Sequence, residues 1–133
     1  MKLFTCLLLL AAAAAAETAR ITLDPGHAQV VVQATDRALR VADLGLREAG
    51  LAAAPLFQHA DEIRIFDSAA VTNSSPRARI WINAAQTNRY WFHTGGAGSA
   101  EQFRVPAGAA IAVVLRASTN AITWSLPVAA TSP

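Results

Sequence analysis

Hydrophobic and polar positions alternate along much of this chain in short runs, with glycine, proline or a polar turn between one run and the next. A period of two places successive side chains on opposite faces of a strand, so each run is expected to be a strand with one buried face. Arg20 to Asp24 is the first, and Asp24-Pro25-Gly26 turns out of it, because proline presets φ and glycine tolerates a left-handed backbone. Gln29 to Ala34 is dominated by Val30, Val31 and Val32, whose branched side chains favour a strand. Asp36-Arg37 then turns the chain into Ala38 to Leu44. In Glu62 to Asp67, Ile63 and Ile65 point one way and Glu62 and Arg64 the other, the mark of a half-buried strand. Ala78 to Asn83, Arg89 to Thr94, Glu101 to Val105, Ile111 to Arg116 and Ala121 to Leu126 complete the series. Residues 46–60 interrupt it. One or two helical turns are open to them, but Gly45, Gly50 and Pro55 work against a helix, and a loop with a short strand near Leu56-Phe57 is expected. About nine or ten short strands separated by turns predict an all-β fold, a small antiparallel sandwich or partly closed barrel.

The most informative pattern is RIWIN followed by RYWFHTGG, residues 79–83 and 89–96. Ala78, Ile80 and Ile82 share an apolar face, leaving Arg79, Trp81 and Asn83 opposite; Tyr90 and Phe92 share one face, leaving Arg89, Trp91 and His93 on the other. A five-residue turn, Ala84 to Asn88, sets 83 against 89, Trp81 against Trp91 and Arg79 against His93. On the reverse side it sets Ile80 against Phe92 and Ile82 against Tyr90. A slip of one residue would mix the two rows, which is costly wherever one face is buried. Arg79, Trp81, Asn83, Arg89, Trp91 and His93 therefore form a mixed aromatic and polar face, the candidate interaction face. Three uses are open to it: cover by another strand or loop of the same domain, contact with another protein, or a platform on which sugar rings stack. Tryptophan and arginine are favoured at the centres of protein interfaces. Trp124 differs, since Ile122 and Leu126 share its face, and it is read as core.

The first residues add a compartment. Met1-Lys2 is a short positive start, Leu3 to Leu10 an apolar core and Ala11 to Ala16 a run of small side chains, the layout of a secretory signal peptide cleaved before Glu17. The apolar stretch from Leu3 to Ala16 is shorter than the ~20 residues that cross a bilayer, so no stable membrane insertion is expected after cleavage. Residues 1–16 are then the signal, 17–128 a single β domain and 129–133 a short flexible tail. Cys6, the single cysteine, leaves with the signal, so the mature domain is disulfide-free and stands on packing or on a partner. Lys2 leaves too, and ten arginines face nine carboxylates with the signs interspersed. No basic stripe matches a phosphate backbone, so no nucleic-acid partner is expected.

Candidate chemistry is sparse. His27, His59 and His93 fall in no spacing typical of a metal site, and neither a GxSxG elbow nor a mature cysteine offers a nucleophile. Asp61 and Asp67 at the ends of one strand suit solvated turns better than a calcium site, and Gly95-Gly96-Ala97-Gly98 lacks the spacing of a phosphate loop. Asn73-Ser74-Ser75 is formally a glycosylation acceptor. No catalytic, cofactor-binding or metal-ligating set is expected. The order EIRIFD, a polar loop, RIWIN, RYWFHTGG, FRVPAG and ITWSL resembles an uncharacterised group of secreted β-rich bacterial proteins over residues 60–126. That resemblance implies export and an all-β fold, and no reaction. Two functions follow: a noncatalytic secreted, cell-surface or periplasmic structural protein that self-associates or binds a protein partner, or an extracytoplasmic carbohydrate-binding module with polysaccharide as its ligand.

Overall fold

The computed structural model describes residues 17–70 and 75–129; the signal segment, the Asn73 acceptor and residues 130–133 of the tail lie outside them. Among the described residues nine strands form in chain order: β1 (Glu17–Leu23), β2 (Ala28–Val32), β3 (Leu39–Arg40), β4 (Glu62–Ile65), β5 (Ala78–Asn83), β6 (Arg89–Thr94), β7 (Arg104–Val105), β8 (Ala110–Val114) and β9 (Ile122–Val128). All pair antiparallel. The main sheet has the order β2-β8-β4-β5-β6, and two-stranded ribbons β1-β9 and β3-β7 complement it. The result is an all-β sandwich with no closed barrel.

One face of the main sheet supplies Ile63, Ile65, Ile80, Ile82, Tyr90, Ile111 and Val113 to the core, where Leu23, Leu44, Trp124 and Leu126 meet them from the other layer. Trp124 is fully buried as expected, and its indole Nε1–H donates to the Leu44 carbonyl oxygen at 2.6 Å, which satisfies the polar atom of a ring in an apolar site. The Tyr90 hydroxyl accepts the Arg47 N–H at 2.7 Å. Burial pushes its pKa up to about 12, against the opposing pull of that hydrogen bond and the Arg47 charge.

Residues 46–60 depart from expectation. Leu46–Ala49 is a single helical turn, α1, bounded by Gly45 and Gly50 in left-handed conformations. The segment around Phe57 is a 3-10 turn, Phe57–His59, and not a strand. The residue of the segment that bridges to the sheet is instead Ala54, which pairs parallel with Asn83. Ala38 to Leu44 is likewise mostly turn, with β3 only two residues long before the 3-10 turn Val41–Asp43. Among the described residues no helix is long and apolar enough to cross a membrane.

Candidate functional site

The second face of the main sheet, turned away from the core, gathers the unusual residues. Strands β5 and β6 pair Trp81 with Trp91, Asn83 with Arg89, Ile80 with Phe92 and Ile82 with Tyr90, the register expected from the sequence. The row at the far end is corrected: Arg79 pairs with Thr94, not His93, because the ladder shifts between Arg79 and Ile80 and leaves His93 as the extra residue of a β-bulge. Next to it Gly95 has φ +86°, and a side chain there would stand 2.1 Å from the Arg77 carbonyl oxygen. The close crossing of two backbones therefore requires a glycine.

Residues 52–61 lie over the tryptophans as a roof. The Ala54 N–H donates to Ile82 and the Ala84 N–H donates to Ala54, stitching the roof to the end of β5. At its base, Ala52 and Asp61 are joined twice, by the Asp61 N–H to the Ala52 carbonyl oxygen and by the Ala52 N–H to the Asp61 carboxylate. The same carboxylate accepts the N–H groups of Ala117 and Ser118 at 2.8 and 3.0 Å and the Ser118 hydroxyl. Asp61 is thus a buried anchor and not a solvated turn acid. Under the roof Trp81 is only 7% exposed, and its Nε1–H reaches the Ala54 carbonyl oxygen at 3.3 Å. The Phe57 ring meets Trp81 edge-on, with centroids 5.8 Å apart, and stacks on His93 at 3.7 Å and an interplanar angle of 6°.

The six residues of the expected face therefore separate into grades of cover. Trp81 and Asn83 are buried, Arg79 and Trp91 are partly covered, and Arg89 and His93 are exposed. Asn83 caps the 3-10 turn Ala84–Gln86 by accepting the Ala85 N–H, which is a local role. Phe57 had no signal of its own, since a single 3-10 turn carries no repeat.

Glu62 is the residue the sequence placed wrongly. It was expected on the solvent side of β4, yet it is 0% exposed. Arg64 and Arg79 stand directly opposite on β4 and β5, a pairing of like charges that would repel if left alone. Glu62 lies between them and answers both: its Oε1 accepts Arg64 Nε at 2.8 Å and Arg116 Nη2 at 3.1 Å, and its Oε2 accepts Arg79 Nε at 2.5 Å. Burial pushes the Glu62 pKa up, but the hydrogen bonds and charges of Arg79 and Arg64 outweigh it and hold the carboxyl below its ordinary value. Arg79 and Arg116 also set their guanidinium carbons 5.2 and 4.7 Å from the Phe57 ring centre, as cation–π partners. The carboxylate hub and the roof are therefore one structure, joined through Phe57.

Away from the roof the same face is open. Val30 on β2 pairs with Ala112 on β8, Ala112 with Arg64 on β4, and Arg64 with Arg79 on β5, so one row crosses four strands. Small side chains at Ala110 and Ala112 leave a trough along β8, with Val30 and Val32 on one bank, 49% and 43% exposed, and Phe66 on the other. Phe66, Pro76, Arg64 and Arg79 help to line an open cleft of about 470 Å³ there. No group of three or more metal-binding side chains occurs among the described residues. Asp67, two residues past the end of β4, is exposed and pairs with Arg77. Comparison with protein-family models, curated proteins and solved structures returns no match.

Proposed function

We propose that this chain is a noncatalytic exported structural protein that assembles with copies of itself, and that the contact runs along β2. The observation that carries this reading is the character of that edge. Strand β2 ends the main sheet, pairs only with β8 among the described residues, and reads AQVVV, with no charge, no proline and no bulge. An unpaired strand of this kind is a template for another strand, and proteins that avoid the pairing place lysine, proline or a bulge there. Two copies meeting about a twofold axis would lay β2 antiparallel against itself, with no like charges opposed. The exposed Val30 and Val32 side chains would extend the contact onto the outer face. Sedimentation velocity of the chain from Glu17 onward tests this: concentration-dependent association is expected, and Val32→Lys should abolish it. A natural chain that stays monomeric at every concentration overturns the reading.

Carbohydrate binding is the second reading. What favours it is Trp91, whose partly covered ring lies at the margin of the roof beside the exposed Arg89 and His93. Retention on immobilised polysaccharides, lost on Trp91→Ala, would support it in place of assembly.

A further inference from the structure

We infer that the open cleft on the outer face is a binding site for a small amphiphilic carboxylate, an oxyanion head on an apolar body. This goes beyond the assembly reading and does not rest on it. Three guanidiniums, those of Arg64, Arg79 and Arg116, share the single carboxylate of Glu62, which leaves an excess of two positive charges. Each guanidinium carries five N–H donors. Arg79 gives Glu62 its Nε–H, Arg116 gives an Nη2–H, and Arg64 uses Nε and Nη2, so most of their donors are not spent on any carboxylate among the described residues. Arg64 and Arg79 line the cleft with side chains 33% and 30% exposed, within reach of a ligand. Glu62 shows from inside the molecule what this pair of forks accepts. It also holds both arginines in place, which lowers the ordering cost of binding a second carboxylate.

The rest of the lining sets the body of the ligand. Val30, Phe66, Pro76 and Ala112 are apolar, and among the described residues no side-chain amide, hydroxyl or carboxylate lines the cleft with them. A sugar ring would find only the two guanidiniums for its many hydroxyls there, whereas an alkyl or aryl chain lies on a matched surface. The volume, about 470 Å³, falls within the range of small-molecule sites, roughly 300–1,000 Å³. Ala110 and Ala112 on β8 provide the room, since larger outward side chains at those two positions would fill the trough.

The test is a titration of the chain from Glu17 onward with octanoate, followed by calorimetry and by backbone amide shifts. Saturable binding is expected, with the shifts centred on Val30, Arg64, Phe66 and Ala112. Acetate, which lacks the body, and 1-octanol, which lacks the charge, should each bind at least about tenfold more weakly, the scale of one lost charge-assisted hydrogen bond. Arg64→Gln should weaken octanoate by a similar factor. Val30→Glu, at a half-exposed position where folding is not at stake, should abolish binding by placing a carboxylate on the bank of the cleft. Absence of saturable octanoate binding overturns the inference, as does equal affinity for octanoate and octanol, or an affinity that Val30→Glu leaves unchanged. Failure here with self-association intact removes this site alone. Octanoate binding by a chain that never associates removes the assembly reading alone.

Discussion

Two halves of one sheet face are built on opposite plans. Over β5 and β6 the face carries large rings and a roof to cover them: Trp81 is enclosed by Ala54, Ala60 and Phe57. Over β2 and β8 it carries valines and alanines: Phe66 packs on Ala110 and Ala112, while Val30 and Val32 are left exposed. The edges follow the same division. Strand β6 has charged and aromatic residues, a bulge at His93 and a returning segment that pairs Ser99 with Trp91. Strand β2 has none of these protections. Trp81, which looks like part of a contact surface in the sequence, is thus spent inside the domain and Trp91 is partly covered, while Val30 and Val32 are left outside. Exposure, and not residue type, decides which half can meet a partner.

The largest effect should come from opening the roofed half. Trp81→Ala removes a buried ring, the Nε1–H bond to Ala54 and the edge contact with Phe57. A loss of about 3–5 kcal/mol is expected in chemical denaturation. Trp91→Ala, at a partly covered position, should cost about 1–2 kcal/mol and leave self-association intact. Equal costs for the two rings would show that the roof does not grade them. Loss of association in Trp91→Ala would move the assembly contact to β6.

Next in size is the hub that joins the halves. Glu62→Gln leaves three guanidiniums without their shared anion. Removing one partner of a fully buried pair costs about 3–5 kcal/mol, but the arginines keep roughly a third of their exposure, so about 2–3 kcal/mol is expected. The same carboxylate gives a pH signature. Its pKa is lowered in the folded state, so its contribution is present above the ordinary carboxylate pKa and is lost as pH falls through the folded value. Urea midpoints should therefore fall on acidification below that ordinary pKa, and fall less steeply in Glu62→Gln. Parallel curves for the two proteins would show that Glu62 is not the group responsible.

The strand series, the β5–β6 boundaries and the pairing of Trp81 with Trp91 were legible because they depend on local alternation and one short turn. The bulge was not, because alternation through Arg89 to Thr94 does not reveal the extra residue at His93, which the ladder leaves between two rows. The sandwich was legible in class; the position of β4 at the centre of the sheet, between β8 and β5, was not, because it joins strands far apart in sequence. That position explains the error at Glu62. A period of two separates two faces but does not say that both are covered. A buried carboxylate could have been suspected only by placing Arg64, Arg79 and Arg116 around it, which requires the pairings of β4 with both neighbours. Cover of the tryptophans by a loop of the same domain was among the uses open to that face, but which residues form it was not legible for a related reason: Phe57 sits in one 3-10 turn, and Ala54 contributes a single bridge.

The smallest effect on stability should come from the open half. Val32 lies on an edge strand opposite Ala110, with 43% of its surface in water, so Val32→Lys removes little packing and places an ammonium where it stays solvated. Thermal or urea unfolding should shift by no more than about 0.5 kcal/mol, the usual scale of a surface substitution. Against that small change, the effect on association should be complete, because two copies meeting along β2 would bring both lysines into one contact and desolvate them. The contrast with Trp81→Ala is the decisive feature: one variant loses stability while its monomers still pair, the other keeps stability and does not pair. If Val32→Lys unfolds as easily as Trp81→Ala, then β2 is covered within its own molecule, and the two halves of the sheet face are not different in kind.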